Sequence, residues 1–262
     1  MANKRGIIIA DTHCGHLLGL TPQPWQLKGD GWKKQVRDVQ RQCWNWFDGE
    51  MSKLPNLDFI LANGDLVDGK GEKSGGIEQL TTNTQEQAEM ASYILKRLSC
   101  RKTKILMARG TPYHTGKDDD TEDLVAHDVG AAIGDQLWPE INGLVFDMKH
   151  KVGSSGIPHG RSSAIKRAAL WNMIWAEANE QPKAKIFIRS HVHYADVNWS
   201  PDFGYGLVTP GLQGFGSRYG ARQCEGRVHF GFYYIEVTDK GELIWVPKLA
   251  KIATHRSQTT EV

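Results

Sequence analysis

Five short segments of the chain carry side chains suited to metal chemistry. They are Asp11-Thr12-His13, Asn63-Gly64-Asp65-Leu66-Val67-Asp68, Arg109-Gly110-Thr111-Pro112-Tyr113-His114, a single His150, and His191-Val192-His193. Carboxylate and imidazole together select borderline divalent ions such as Mn, Fe, Co or Zn, and the missing thiolate pairs argue against structural zinc. Two such ions ~3.5–4 Å apart can be bridged by one carboxylate and share a hydroxide nucleophile while clamping a phosphoryl oxygen. One residue between the members of Asp-x-His and His-x-His sets both side chains on the same side of an extended segment, so each pair is expected to reach a common centre. Each fragment alone also has a structural reading: an aspartate after a strand as a turn or cap residue, Gly-Asp as a turn, His150 as a packed histidine. Their conjunction carries the weight.

These segments need strands to hold them. Residues 5–10, 57–62 and 104–108 are aliphatic runs of strand length, and each ends at one of the polar segments. Between them, residues 31–51 and 84–99 show helical spacing, with Val36, Val39, Cys43 and Phe47 on one stripe and Met90, Ile94 and Leu98 on the other. A helix is expected over 121–134, capped by Thr121, then a strand over 144–149, a helix over 162–179 and a strand over 184–188. From residue 204 the pattern is β: 205–209, 228–237 and 243–246, with Asp239-Lys240-Gly241 as a hairpin turn. Strands early and late, with helices between, predict an α/β four-layer α-β-β-α sandwich of two mixed sheets flanked by helices. Ligands in such folds collect beyond the carboxyl ends of strands.

The chain has 262 residues, with 32 Lys and Arg against 30 Asp and Glu, a formal charge of +2. That balance gives no general electrostatic footprint for nucleic acid. Cys14, Cys43, Cys100 and Cys224 are scattered, which fits reduced thiols in the cytoplasm. The apolar run in MANKRGIIIADTH is too short for a signal peptide or a membrane span. No repeat or Pro/Ser-rich linker divides the chain, so residues 1–262 are expected to form a single domain. Trp44, Trp171 and Trp175 are expected to pack helices on sheets, Trp25 and Trp32 near the first loop to border the site, and residues 117–123 to be a solvated acidic loop plus helix start.

The order Asp-x-His, Gly-Asp-x-x-Asp, a Gly-led loop, a single His and then His-x-His resembles the calcineurin-like metallophosphoesterase superfamily over residues 11–193, with the trailing β segment as its second sheet. The resemblance implies that Asp11, His13, Asp65 and His193 hold one ion, that Asp65 bridges, and that His150 and His191 bind the second. It implies two divalent ions, Mn first, with Fe, Zn, Co or Ni as alternatives. The family has Gly-Asn-His-Asp or Gly-Asn-His-Glu after its third strand, whereas this chain reads Gly110-Thr111-Pro112-Tyr113-His114. Thr111 takes the Asn position with a weaker ligand, and His114, two residues beyond the family's histidine position, is the candidate general acid. This Gly-Thr-Pro-x-His variant is similar to phosphoesterases found in bacteriophage genomes, which would place the protein in a host cytoplasm.

Protein phosphatases of the superfamily carry an arginine in Gly-Asp-x-Val-Asp-Arg-Gly. This chain reads Gly64-Asp65-Leu66-Val67-Asp68-Gly69-Lys70 and lacks it. Arg161, Arg218 and Asp68 are the candidate substrate contacts. Arg218 stands in a Gly-rich stretch with Phe215, Tyr219 and Arg222 that suits stacking on a base and gripping phosphate. The expected activity is hydrolysis of a phosphodiester, in a nucleic acid or nucleotide. The alternatives are a phosphomonoesterase and a weakly catalytic binding protein.

Overall fold

In the strand β1 (Lys4–Ile9), Ile7 and Ile9 enter one hydrophobic core while Ile8 enters another. A strand buried on both faces must lie inside a sheet between helices and a second sheet. The computed structural model describes residues 2–116, 120–153, 155, 157–214 and 227–252. After β1 come α1 (Trp32–Met51), β2 (Phe59–Asn63), α2 (Thr84–Leu98), β3 (Lys104–Ala108), the single turn α3 (Pro112–Thr115), α4 (Thr121–Val129) and β4 (Ala132–Gly134). Then follow β5 (Glu140–Ile141), β6 (Leu144–Lys151), α5 (Ser163–Glu177), β7 (Ile186–Ser190), β8 (Asp196–Ser200), β9 (Gly204–Val208), β10 (Phe230–Val237) and β11 (Leu243–Ala250).

The first sheet has the order β11-β10-β1-β2-β3-β4, parallel from β1 to β4 and antiparallel at β10 and β11. The second has the order β5-β6-β7-β9-β8, parallel only across β6, β7 and β9. Three apolar layers hold them. Cys43 and Phe47 of α1 and Met90 and Ile94 of α2 pack on Ile7, Ile9 and Ile60. Ile8, Leu61 and Tyr233 of the first sheet meet Phe146, Ile188 and Leu207 of the second. Ile165 and Ala169 of α5 cover Phe187 and Val208. Two mixed sheets face to face with helices outside make the expected α-β-β-α sandwich.

Several local expectations need correction. The trailing strands β10 and β11 extend the first sheet instead of the second, because Phe230 and Phe232 feed the helix-side core while Tyr233, Ile235 and Val237 feed the core between the sheets. The expected helix 121–134 ends at Val129, since Gly130 in the left-handed region (φ 67°) closes it, and β4 then pairs with β3. Asp120, not Thr121, caps α4 by accepting the Glu122 N–H. Trp44 is buried as expected, but Trp171 and Trp175 are 53% and 41% exposed, because α5 buries the stripe of Ile165, Ala169 and Asn172 and leaves them outside it. Trp32 is exposed and Trp25 stacks edge-on against Tyr93.

Candidate metal centre

The loops after β1 and β2 are tied together by backbone bonds: the N–H groups of Asp11, His13 and Cys14 donate to the carbonyls of Gly64, Asp65 and Leu66 at 2.9–3.0 Å. The loop after β3 approaches closely because position 110 is glycine; a Cβ there would collide with Asp65 Oδ1. In β6, the register against β7 shifts between Met148 and Lys151, and His150 stands in that irregular stretch, as bulges beside functional sites often do.

Asp11, His13, Asp65, His191 and His193 all have positive φ, from 43° to 77°. Among the described residues the other non-glycine cases are Asn142 and Asn179, of a type that tolerates this region. The expected extended geometry of Asp-x-His and His-x-His is therefore wrong. Tight left-handed loops, each such residue costing of order 1–3 kcal/mol, turn these side chains toward a centre.

Two trios result. In the first, His193 Nε2 lies 3.2 Å from both Asp11 Oδ1 and His13 Nε2, and His13 Nε2 is 3.9 Å from Asp11 Oδ1. In the second, Asp65 Oδ2 lies 2.9 Å from His150 Nε2 and 3.7 Å from His191 Nδ1. Asp11 Oδ1 also stands 3.9 Å from His150 Nε2, so the trios adjoin. Donor atoms at such separations suit bonds of ~2.0–2.2 Å to a shared ion. Asp11 Oδ1 and His150 Nε2 are fully buried yet make no hydrogen bond, so two costly polar atoms are aimed at the place where a cation would satisfy them.

The surrounding groups orient these donors. Asn63 O faces His150 Nδ1 at 2.6 Å, and Asp68 Oδ1 faces His13 Nδ1 at 2.7 Å, so in each ring Nε2 turns to the centre. Asp68, expected at the substrate, is instead 3% exposed: its Oδ1 also lies 3.2 Å from His114 Nδ1, and its Oδ2 accepts from Gln79 Nε2 at 2.6 Å. Thr111 donates its N–H and its hydroxyl to Asp65 Oδ1, at 2.6 and 3.1 Å. His114 stands edge-on to the His13 ring, 4.6 Å between centroids. The Arg161 guanidinium lies 4.3 Å over the ring of Tyr194, next to His193. Arg218 lies outside the described residues.

Burial alone would raise the pKa of Asp65, but the charge of His150 outweighs burial and holds this carboxyl well below its ordinary range. Asp11 is likewise lowered, its burial outweighed by His193. Burial lowers His13, which favours the neutral, ligating imidazole. His114 moves the other way: burial is overcome by its bond to Asp68 and by the charge of Asp65, and its pKa rises to about 9. The carboxylates are thus ionised and His13 offers a free lone pair, whereas His150, raised to about 10 by the charge of Asp65 although burial opposes it, must give up its proton when a cation binds.

Glu122 escaped the sequence reading, which placed it in a solvated acidic run. It is fully buried, and its carboxylate accepts the N–H groups of Leu66 and Gly110, both at 2.7 Å. Its position in the first turn of α4 signals a helix start, and nothing in the local sequence reports the two distant backbone donors. Gln87 is similar: its Oε1 accepts the Gly69 N–H at 2.8 Å and secures the loop behind Asp68.

No protein-family model and no curated protein matches the chain. Among solved structures, it is similar to wild-type Vps29 complexed with zinc from Entamoeba histolytica, with a TM-score of 0.47 and 14% identity over 94% of this chain and 98% of that one. Vps29 from Cryptosporidium parvum gives 0.46 and 12% over 95% and 99%, and a novel archaeal phosphodiesterase gives 0.45 and 11% over 93% and 99%. The chain thus joins two mixed sheets in an α-β-β-α sandwich, with its Asp-x-His, Gly-Asp, His and His-x-His segments converging at one rim.

Proposed function

We propose that the protein is a dinuclear metal-dependent phosphoesterase that hydrolyses phosphodiesters. The observation that carries this reading is the pair of adjoining Asp/His trios with orphaned Asp11 Oδ1 and His150 Nε2 between them. Asp11, His13 and His193 would hold one cation and His150 and His191 the other, with Asp65 as the proposed shared ligand. Two divalent cations bound there, Mn in the first instance, would supply Lewis-acid polarisation of a phosphoryl oxygen and activation of water.

The chain's own groups do the rest. Asp68 and the Asn63 carbonyl fix the tautomers of His13 and His150. Thr111 holds Asp65 in place, and with both its donors directed there it adds little to the second cation. His114, protonated at neutral pH and gripped through Nδ1, has Nε2 left to donate a proton to the leaving oxygen. Arg161, braced on Tyr194, is the proposed phosphate contact. The diester preference is supported by Gly69-Lys70 standing where protein phosphatases have their phosphate-gripping arginine.

The test compares bis-p-nitrophenyl phosphate with p-nitrophenyl phosphate after EDTA treatment and Mn addition. Faster diester turnover, with close to two Mn per chain, supports the reading. Faster monoester turnover makes the protein a phosphomonoesterase. No bound metal and no turnover would leave a binding protein.

A further inference from the structure

On the outer face of the second sheet, a cleft of about 330 Å³ opens between β6 and α5. Its chemistry is not that of the metal centre. Lys149 and Lys151 of β6 line one wall. They flank His150, and because side chains alternate along a strand they face away from the metal centre. Arg167, Trp171 and Trp175 of α5 line the other wall, at four-residue spacing, ~6 Å apart along the helix.

Charge in the cleft has one sign. Four cationic side chains line it against a single carboxylate, Asp147, and that carboxylate is already taken: Arg189 Nη1 donates to it at 3.0 Å and Gln136 Nε2 at 2.9 Å. Lys149, Lys151 and Arg167 make no ion pair among the described residues. The two indoles are 53% and 41% exposed on a helix whose other side already covers the sheet, so they are not needed for the core. Unpaired cations opposite exposed, regularly spaced aromatic faces form the pattern that holds single-stranded nucleic acid, with phosphates on the cations and unstacked bases on the rings.

We propose that this cleft is a binding site for single-stranded nucleic acid, separate from the metal centre but reached along the same strand. The proposal rests on the phosphodiester reading only for its choice of ligand. A polynucleotide held along α5 would continue past the end of β6 toward the rim where His150 stands. An isolated basic patch would attract any polyanion, whereas the indole pair selects one with exposed bases.

The test uses the full chain in EDTA, so that hydrolysis plays no part, and a fluorescein-labelled dT12 oligonucleotide followed by anisotropy and tryptophan quenching. Binding is expected to quench tryptophan fluorescence and to weaken with salt. Trp171→Ala should weaken it about tenfold. Arg167→Glu should weaken it and flatten the salt slope by ~0.7 or more. Lys151→Glu, on the opposite wall, is an independent variant should either α5 change lower the melting temperature. Equal affinity for poly-glutamate or for a duplex of the same length, or binding indifferent to these three changes, would overturn the proposal. Failure to hydrolyse bis-p-nitrophenyl phosphate would instead sink the catalytic reading and leave this binding result standing.

Discussion

Glu122 takes the backbone N–H of Leu66 at 2.7 Å, so a buried carboxylate from α4 grips the chain one residue beyond Asp65. Its other oxygen takes the N–H of Gly110, one residue before Thr111. One side chain therefore sets the spacing of the two loops that meet over Asp65. Glu122→Ala would orphan both donors, at roughly 1–3 kcal/mol each. Urea titration should show that loss, and turnover should fall with it. Glu122→Gln keeps one acceptor oxygen and should recover part of both.

Metal binding should stabilise the fold by mass action, by roughly 2.7 kcal/mol when free Mn is 100 times its dissociation constant. The melting temperature of EDTA-treated protein should rise on adding Mn. His13→Ala and Asp65→Ala should abolish turnover and shrink that rise. A full rise in both variants would place the ions elsewhere.

Thr111 directs its N–H and its hydroxyl at Asp65 and brings no strong donor to the second trio. Calorimetric titration with Mn should therefore resolve one tight and one weaker event. Thr111→Asn, which adds a carbonyl oxygen at the position where the family has its ligand, should tighten the weaker event. Thr111→Ala should leave the tight one in place.

Alongside His150, which Asp65 raises to about 10 although burial opposes it, His114 carries the pH dependence. Its pKa in the fold is about 9, raised above the ordinary 6.5 although burial opposes it, because Asp68 bonds it and Asp65 adds its charge. A base whose folded pKa lies above its unfolded value contributes stability that is complete below pH 6.5 and is lost as pH rises through 9. Denaturant titrations of metal-free protein at pH 6 and pH 9.5 should show this difference, and His114→Ala should reduce it. In catalysis, loss of this proton donor should slow poor leaving groups by ~10²-fold or more and p-nitrophenol esters far less. Equal loss for both would remove His114 from the acid role.

Asp68→Asn should weaken metal binding or turnover about 10–100-fold, the range for groups that orient a ligating histidine. The variant leaves a neutral amide against His13 Nδ1, where the carboxylate now sits at 2.7 Å. Metal titration distinguishes a loss of affinity from a loss of rate.

The strands and helices that carry the site were legible because aliphatic runs and helical stripes set them, and Ile7, Ile60 and Phe47 stand in the core where such patterns put them. The motif order set Asp65 with Asp11, His13 and His193 as a bridge to His150 and His191; the fold gathers Asp11, His13 and His193 in one group and Asp65, His150 and His191 in another. The means by which they meet was not legible. Periodicity describes regular backbone, and left-handed φ at Asp11 or His191 is enforced by tertiary bonds that no local pattern reports. Partner choice was equally hidden: Asp68 and Glu122 look like loop and helix-start acids until the residues 55 and 56 positions away are placed beside them. The sheet joined by β10 was misread because both candidate sheets offer apolar faces, and only packing decides between them.

The pairing of β10 with β1 bears on how the molecule is made. β1 needs two neighbours, β2 close behind it in the chain and β10 more than two hundred residues further on. Until β10 is made one edge of β1 is open, and Asp11 lacks the Leu212 amide that caps its carbonyl at 3.0 Å. Assembly of the rim that carries the Asp/His groups is thereby deferred until residue 230 has been made, and a nascent chain stalled before it would hold an exposed, adhesive strand at its heart.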